Sequence, residues 1–332
     1  MNTVRSVAEL RSTLAEPRRA GRRIGLVPTM GAFHEGHLSL MRRARRECDV
    51  VVVSLFVNPT QFNDRADLAA YPRDELRDAG RAEELGVDLL FAPGVEEVYP
   101  TGFSTTVSVA GVTEPLEGAH RGRGHFDGVT TVVAKLFSMV APDVAYFGQK
   151  DAQQAVVIKQ MVRDLDIPVW IEVCPTVRDP DGLALSSRNA LLSPAERARA
   201  TALYRALQAM KQAIDAGERD PSIATSAGLQ QLTSSGIEPD YLELVDPETL
   251  TPVRRLDEGD VLALVAARVG HIRLIDNESI QVLSTSEADG IRPLHAAGAS
   301  AKRERSSAAG GRAIFSGRGA GGPAEETTNG RP

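Results

Sequence analysis

Residues 24–57, IGLVPTMGAFHEGHLSLMRRARRECDVVVVSLFV, decide the fold. Ile24–Val27 is an apolar run of strand length that breaks at Pro28 into a loop containing Gly31 and Gly36. From Gly36 to Glu47 the apolar residues Leu38, Met41 and Ala44 recur at helical spacing, with arginines on the other face, which predicts a helix. Val50–Val57 is then almost continuously apolar and suits a central parallel strand covered on both faces. Strands joined through a helix pair in parallel with a right-handed crossover.

The alternation continues outward. Helices are expected over Asp74–Leu85, Val129–Val140 and Asp151–Leu165, and strands over Val87–Phe91, Val144–Phe147 and Val169–Val173. This pattern predicts a doubly wound, Rossmann-like parallel α/β sheet over residues 1–175. Ligands of such sheets bind beyond the carboxyl ends of the strands, in the loops that enter the helices. After Pro175 comes a turn-rich stretch, TVRDPDGLALSSRN, and a helix starting at Ser193-Pro194, an N-cap followed by proline. Strands at Tyr241–Val245, Val261–Arg268 and Ile272–Ile275 complete a smaller α+β domain expected over 176–283. Residues 284–332 are rich in Gly, Ala, Ser and Arg with few large apolar groups, the composition of a disordered tail.

Composition narrows the function. The 332 residues are 42% hydrophobic and 25% charged, ordinary for a globular chain with a real core. A net charge of -6 lacks the basic stripe of a nucleic-acid binder. Phosphate ligands stay open, because a few placed cations and backbone amides suffice for them. Cys48 and Cys174 have no CxxC partner and are expected as buried thiols. No signal peptide is legible, and no apolar run approaches the roughly 18 residues of a membrane span. A cytoplasmic protein is expected.

The polar loops carry the chemistry. Pro28-Thr29-Met30-Gly31-Ala32-Phe33-His34-Glu35-Gly36-His37 puts two histidines at a helix N-terminus, where amides and dipole favour anions. Gly31 and Gly36 would let the backbone approach a phosphate closely. No HExxH or Cys/His cluster signals a protein-bound metal. Four more loops follow: Phe56-Val57-Asn58-Pro59-Thr60-Gln61-Phe62; Leu116-Glu117-Gly118 with Gly124-His125-Phe126-Asp127-Gly128-Val129; Phe147-Gly148-Gln149-Lys150-Asp151-Ala152-Gln153-Gln154; and Leu185-Ser186-Ser187-Arg188-Asn189.

HxGH after a first strand resembles the nucleotidyltransferase superfamily. The ordered set, with Tyr71-Pro72-Arg73 between the second and third loops, resembles the pantothenate synthetase family over about residues 1–283. Three positions depart from that family's usual pattern: Thr60 for methionine, Gln149 for glutamate, and Gly122-Arg123 where one proline is usual.

The resemblance implies ATP-dependent condensation of (R)-pantoate with β-alanine through a pantoyl adenylate, giving pantothenate, AMP and diphosphate. It implies an ATP site on Met30, Gly31, Ala32, Phe33, His34, Glu35, Gly36 and His37, continuing over Gly148, Gln149, Lys150, Asp151 and Val177. Leu185, Ser186, Ser187 and Arg188 would form a mobile phosphate loop. The catalytic set would be His34, His37, Lys150 and Arg188, with His37 as a proton donor. Gln61 and Gln154 would hold pantoate, and Gln61 β-alanine. Mg2+ is expected with ATP, and a homodimer. The residues themselves fit this chemistry: an ionised carboxylate needs no protein nucleophile, only positioning and charge stabilisation. Two other readings are an adenylyltransferase, which would leave AMP on its product, and an inactive nucleotide-binding protein. Neither accounts for both the paired glutamines and the retained cations.

Overall fold

Nearly unbroken apolar strands build the first sheet. The computed structural model describes residues 1–63 and 65–283; the tail expected over 284–332 lies outside them. The strands are β1 (Asn2–Val4), β2 (Ile24–Thr29), β3 (Val50–Leu55), β4 (Leu89–Phe91), β5 (Val144–Gly148) and β6 (Trp170–Cys174). All pair in parallel, in the order β1-β4-β3-β2-β5-β6. Val50–Val53 are buried throughout, as a strand covered on both faces requires. Each such side chain contributes about 1.5–3 kcal/mol by leaving water.

The helices are α1 (Val7–Arg19), α2 (Glu35–Glu47), α3 (Arg65–Ala70), α4 (Glu75–Glu84), α5 (Val95–Val98), α6 (Glu117–Arg121), α7 (Arg123–Val140), α8 (Ala152–Asp164), α9 (Pro194–Ala200), α10 (Ala202–Asp215) and α11 (Pro221–Ser234). Helices α1, α7 and α8 bury Leu10, Leu14, Phe137 and Ile158 on one sheet face. Helices α2 and α4 bury Met41, Ala44 and Ala82 on the other. The doubly wound arrangement is thus present. Beside it, β7 (Pro239–Val245), β8 (Gly259–Val269) and β9 (Ile272–Val282) form an antiparallel sheet. Its core is shared with α10 through Leu203, Leu207 and Met210 and with α11 through Ala224 and Leu232.

Three boundaries differ from expectation. Helix α7 begins at Arg123, so the GHFDG segment is helical and not a loop. Strand β9 runs to Val282, through the polar Asp276-Asn277-Glu278. Strand β1 and helix α1 add an edge that the apolar pattern does not announce.

Two features open the site. Strands β2 and β5 pair only at Gly25↔Val144 and Leu26↔Ala145 and then part toward their carboxyl ends. Pro28 lies beyond that pairing, where its missing N–H costs no bond to β5. Here the strand order also turns back across β2, the switch point at which such sheets bind ligands.

Helix α7 closes against the loop after β3 at Gly128. A β-carbon there would fall 2.6 Å from the Thr60 carbonyl oxygen and 2.7 Å from the Gln61 amide nitrogen. Both are backbone atoms, so Gly128→Ala must push the Gln61 turn aside. For the activity that the resemblance implies, catalytic efficiency for pantoate is expected to fall on the order of 10²-fold. Steady-state kinetics with pantoate varied checks this, and a loss below about threefold would contradict it.

Candidate active site

A cleft of about 340 Å³ lies at the switch point, lined by both sheets. Strand β2 delivers Met30 to it, and the start of α2 delivers His34, Gly36 and His37. The loop after β3 brings Asn58 and Gln61; β5 and the turn after it bring Gly148, Lys150 and Asp151. Gln154 enters from α8, Val177 from the loop after β6, and Leu185–Arg188 from the segment beyond. Thus His34, His37, Lys150, Arg188, Gln61 and Gln154 share one cavity. Gly31, Ala32, Phe33, Glu35 and Gln149 do not line it.

The reasons are local. The N–H groups of Ala32 and Phe33 donate to the buried Asp78 carboxylate at 2.7 and 2.8 Å, so an internal anion already fills that nest. Gly31 has φ +90, and its missing β-carbon spares Leu55 and Asp78, not a phosphate. The Gly36 position likewise makes room for the His34 ring, 2.9 Å from where a β-carbon would stand. Glu35 is exposed and pairs with Arg42. Gln149 turns toward the second sheet.

The histidines cap their own helix. Gly36 N–H donates to His34 Nδ1 at 3.2 Å, and His34 N–H to His37 Nδ1 at 3.4 Å. With each Nδ1 accepting, a neutral ring carries its proton on Nε2 and presents a donor to the cleft. Burial lowers His34, with Lys150 adding to it. Burial, then the neighbouring His34, pushes His37 down to about 3, although its ring keeps some solvent contact. His37 is therefore held as a neutral hydrogen-bond donor, not an imidazolium.

This sets a pH dependence for stability. Between about 3 and the ordinary 6.5 the unfolded chain binds a proton at His37 that the folded chain refuses. Stability therefore rises with pH across that window and is lost as pH falls, by at most roughly 1.4 kcal/mol per pH unit for one group. Denaturant unfolding of His37→Gln should show a shallower slope from pH 6.5 to 4 than the parent. Equal slopes would contradict the assignment.

The cations are free for a ligand. Among the described residues the Lys150 ammonium has only Asp151, at 3.8 Å. Among the same residues the Arg188 guanidinium makes no hydrogen bond or ion pair. Arg188 sits in a 3-10 turn, Ser187–Leu191, capped by Ser186 Oγ, which accepts from the Arg188 N–H at 3.2 Å.

The glutamines are held differently. Asn58, 1% exposed, donates to Gln61 Oε1 at 3.1 Å and to the Gly128 carbonyl at 3.0 Å. His125 Nδ1 lies 2.8 Å from the Gln61 carbonyl. The hydroxyl of Thr60 donates to Asn58 Oδ1 at 2.9 Å, so this departure is absorbed in the same turn. Gln153 is buried and structural, accepting from Glu117 N–H and donating to the carbonyls of Val112 and Pro115. Its neighbour Gln154 is left facing the cleft.

Sequence reasoning picked out Leu116-Glu117-Gly118 without giving it a role, and it missed the contribution of the second sheet. Glu117, Arg121, Tyr241, Asp276 and Asn277 also line the cleft. Glu117 Oε1 accepts from Arg273 Nη1 at 2.7 Å and Oε2 from Arg121 Nε at 2.8 Å. Burial would raise the Glu117 carboxyl, but the two guanidinia outweigh it and hold it below the usual range. The extra residue at Gly122-Arg123 is taken up by Gly122, at φ +77 in open space between α6 and α7. Polar residues inside the apolar run of β9 were the available signal.

A parallel sheet whose switch point gathers Lys150, Arg188 and two histidine donors has the parts that a nucleotide-dependent ligase needs. A family model described as pantoate-beta-alanine ligase matches residues 2–279. The pantothenate synthetase of Cereibacter sphaeroides is 56% identical over 274 residues, 82% of this chain and 98% of that protein. That of Moorella thermoacetica is 52% identical over 283 residues, 85% and 99%. Among solved structures, pantothenate synthetase from Thermus thermophilus superposes with TM-score 0.79 at 52% identity, covering 84% of this chain and 99% of that one. Pantoate-beta-alanine ligase from Francisella tularensis, complexed with beta-gamma ATP and β-alanine, gives 0.69 at 35% identity, covering 84% and 97%. The chain belongs to the pantoate–β-alanine ligase family and is an enzyme that joins pantoate to β-alanine.

Proposed function

We propose that both steps of the condensation run in this one cleft. Pantoate's carboxylate attacks the α-phosphorus of ATP, pyrophosphate leaves, and pantoyl adenylate forms. The amine of β-alanine then attacks the acyl carbon, and AMP leaves with its phosphate. The observation that carries this reading is the pairing of free cations with neutral amides. Lys150 and Arg188 face the cavity beside the Nε2–H donors of His34 and His37, while Gln61 and Gln154 line it as uncharged partners. Donors preorganised on developing phosphate charge are the principal source of such catalysis. Lys150 would neutralise the α-phosphate, and Leu185–Arg188 would fold over the other phosphates.

Neutral glutamines suit an attacking carboxylate, because an arginine would bind it harder and withdraw charge from its oxygen. Gln61→Arg should therefore slow adenylate formation at saturating pantoate. An unchanged rate would remove this explanation.

Magnesium fits the donor set. The described residues include no cluster of three or more His, Cys, Asp or Glu that could hold a metal alone. A Mg2+ entering with ATP needs one or two carboxylates beside the phosphates, and Asp151, at the cleft with its side chain 55% exposed, is placed to be one. Bound there, it would offset the charge of the phosphates.

A catalytic domain over 1–175, a smaller one over 176–283, a homodimer and a cytoplasmic setting complete the reading, on the resemblance described above. No helix of the described residues is long and apolar enough to cross a membrane. The test is product release: AMP that appears only with both pantoate and β-alanine, and pyrophosphate that appears with pantoate alone. Pyrophosphate without AMP would make the chain an adenylyltransferase.

A further inference from the structure

Asn277 stands on β9, in the second sheet, and is 2% exposed. Its amide nitrogen donates at 2.9 Å to the carbonyl of Gln149 and at 2.9 Å to that of Lys150. Its Oδ1 accepts from Gln149 Nε2 at 3.1 Å. Both side-chain N–H groups and the oxygen are thus engaged on the three-residue turn Gln149–Asp151 that carries Lys150.

The clamp is itself anchored. The Asn277 main-chain N–H donates to Asp276 Oδ1 at 2.8 Å, and its carbonyl accepts from Arg178 Nη2 at 3.1 Å. Arg178 Nη1 also reaches Asp276 Oδ2 at 2.6 Å, and the guanidinium stacks over Tyr204 at 4.4 Å. In register, Asn277 faces Leu264 of β8.

We propose that Asn277 is a positioning residue for Lys150: it fixes the backbone from which the ammonium reaches the cleft. The proposal rests on the assignment of Lys150 to the phosphates. Only an amide meets the demand. Two carbonyl oxygens face Asn277, and a carboxylate of the same shape has no N–H for either. An amide turned over would set its oxygen against both. The two carbonyls can only accept, so they select the orientation that faces N–H groups to them, and the Gln149 side chain turns its Nε2 to the remaining Asn277 oxygen. The residue departing from the family's usual glutamate at 149 therefore serves the same clamp.

The experiment compares Asn277→Ala and Asn277→Asp with the parent in single-turnover adenylate formation. Rates are counted per ATP-binding site, so that unfolded protein does not enter. Misplacing a catalytic group by about 1 Å costs on the order of 10² in rate, and that loss is expected in kcat. KM for ATP and for pantoate should stay within about threefold. Asn277→Asp keeps the side-chain shape and should lose as much as Asn277→Ala. The decisive arm is a Lys150→Ala background, where either change should cost less than about threefold more. A full, multiplicative loss in that background overturns the positioning role, as does a rise in KM in place of the fall in kcat. A Lys150→Ala variant that adenylates normally overturns the lysine's own assignment, read separately from the Asn277 arms, and the positioning role falls with it.

Discussion

His37→Ala and Lys150→Ala are expected to slow adenylate formation on the order of 10²–10³-fold, or roughly 3–4 kcal/mol, with pantoate affinity close to the parent's. Both side chains line the cleft as donors free for phosphate. Charge on the phosphates grows during in-line displacement, so their stabilisation is largest in the transition state. Gln61 and Gln154, the partners proposed for pantoate, lie on other elements and survive either change. Gln61 is fixed by Asn58 and His125, neither of which touches His37 or Lys150. The step that expels AMP should lose less. Single-turnover kinetics that follow pyrophosphate and AMP separately, with pantoate binding alongside, read all three quantities. Adenylate formation within about tenfold of the parent would exclude the residue from catalysis. A collapse of pantoate affinity would place it among the substrate contacts.

Arg273→Met is expected to cost about 3–5 kcal/mol of folding stability. Arg273 and Glu117 are 9% and 8% exposed in their side chains and meet at 2.7 Å. Arg273 also holds Asp240 at 2.6 Å and lies over the Tyr241 ring. Methionine keeps much of the volume but leaves Glu117 with Arg121 as its one guanidinium partner, beside the Tyr241 hydroxyl that donates to it at 3.1 Å. The loss should depend on pH in a definite sense. The Glu117 carboxyl is depressed in the folded chain, so its contribution is present above the unfolded value of 4.5 and lost as pH falls through the folded one. Parent and variant should therefore converge in strongly acidic solution. Denaturant titrations at neutral and acid pH check both points; a neutral-pH loss under about 1 kcal/mol would show that Arg121 suffices.

The parallel sheet was legible because apolar runs and helical spacing alternate over residues 24–91 and again over 129–173. The α2 helix shows why: Met41 and Ala44, read as its inner face, are fully buried. The start of α7 was not legible. Gly124 and Gly128 look like loop residues, yet Gly128 is needed for contact with the Gln61 turn. Strand β9 was cut short at Ile275 because three polar residues follow. Asp276 and Asn277 are buried there, matched to Arg178 and to the turn after β5. Such partners lie far apart in the chain, and no local period reports them. The same holds for Glu117 and Arg273. The segment Gly31–Phe33 stands apart: the resemblance alone put it in the ATP site, and the amides of Ala32 and Phe33 donate to a carboxylate from α4.

That last contact bears on inhibitor design. A compound that mimics the acyl phosphate would ordinarily be extended toward the glycine-bearing loop after β2, in search of backbone donors. Here the donors at Ala32 and Phe33 are consumed by Asp78, itself 1% exposed. An acidic substituent sent in that direction would meet a buried like charge and lose affinity. Potency has to be sought at Lys150 and Arg188, which have, among the described residues, no anionic partner closer than 3.8 Å.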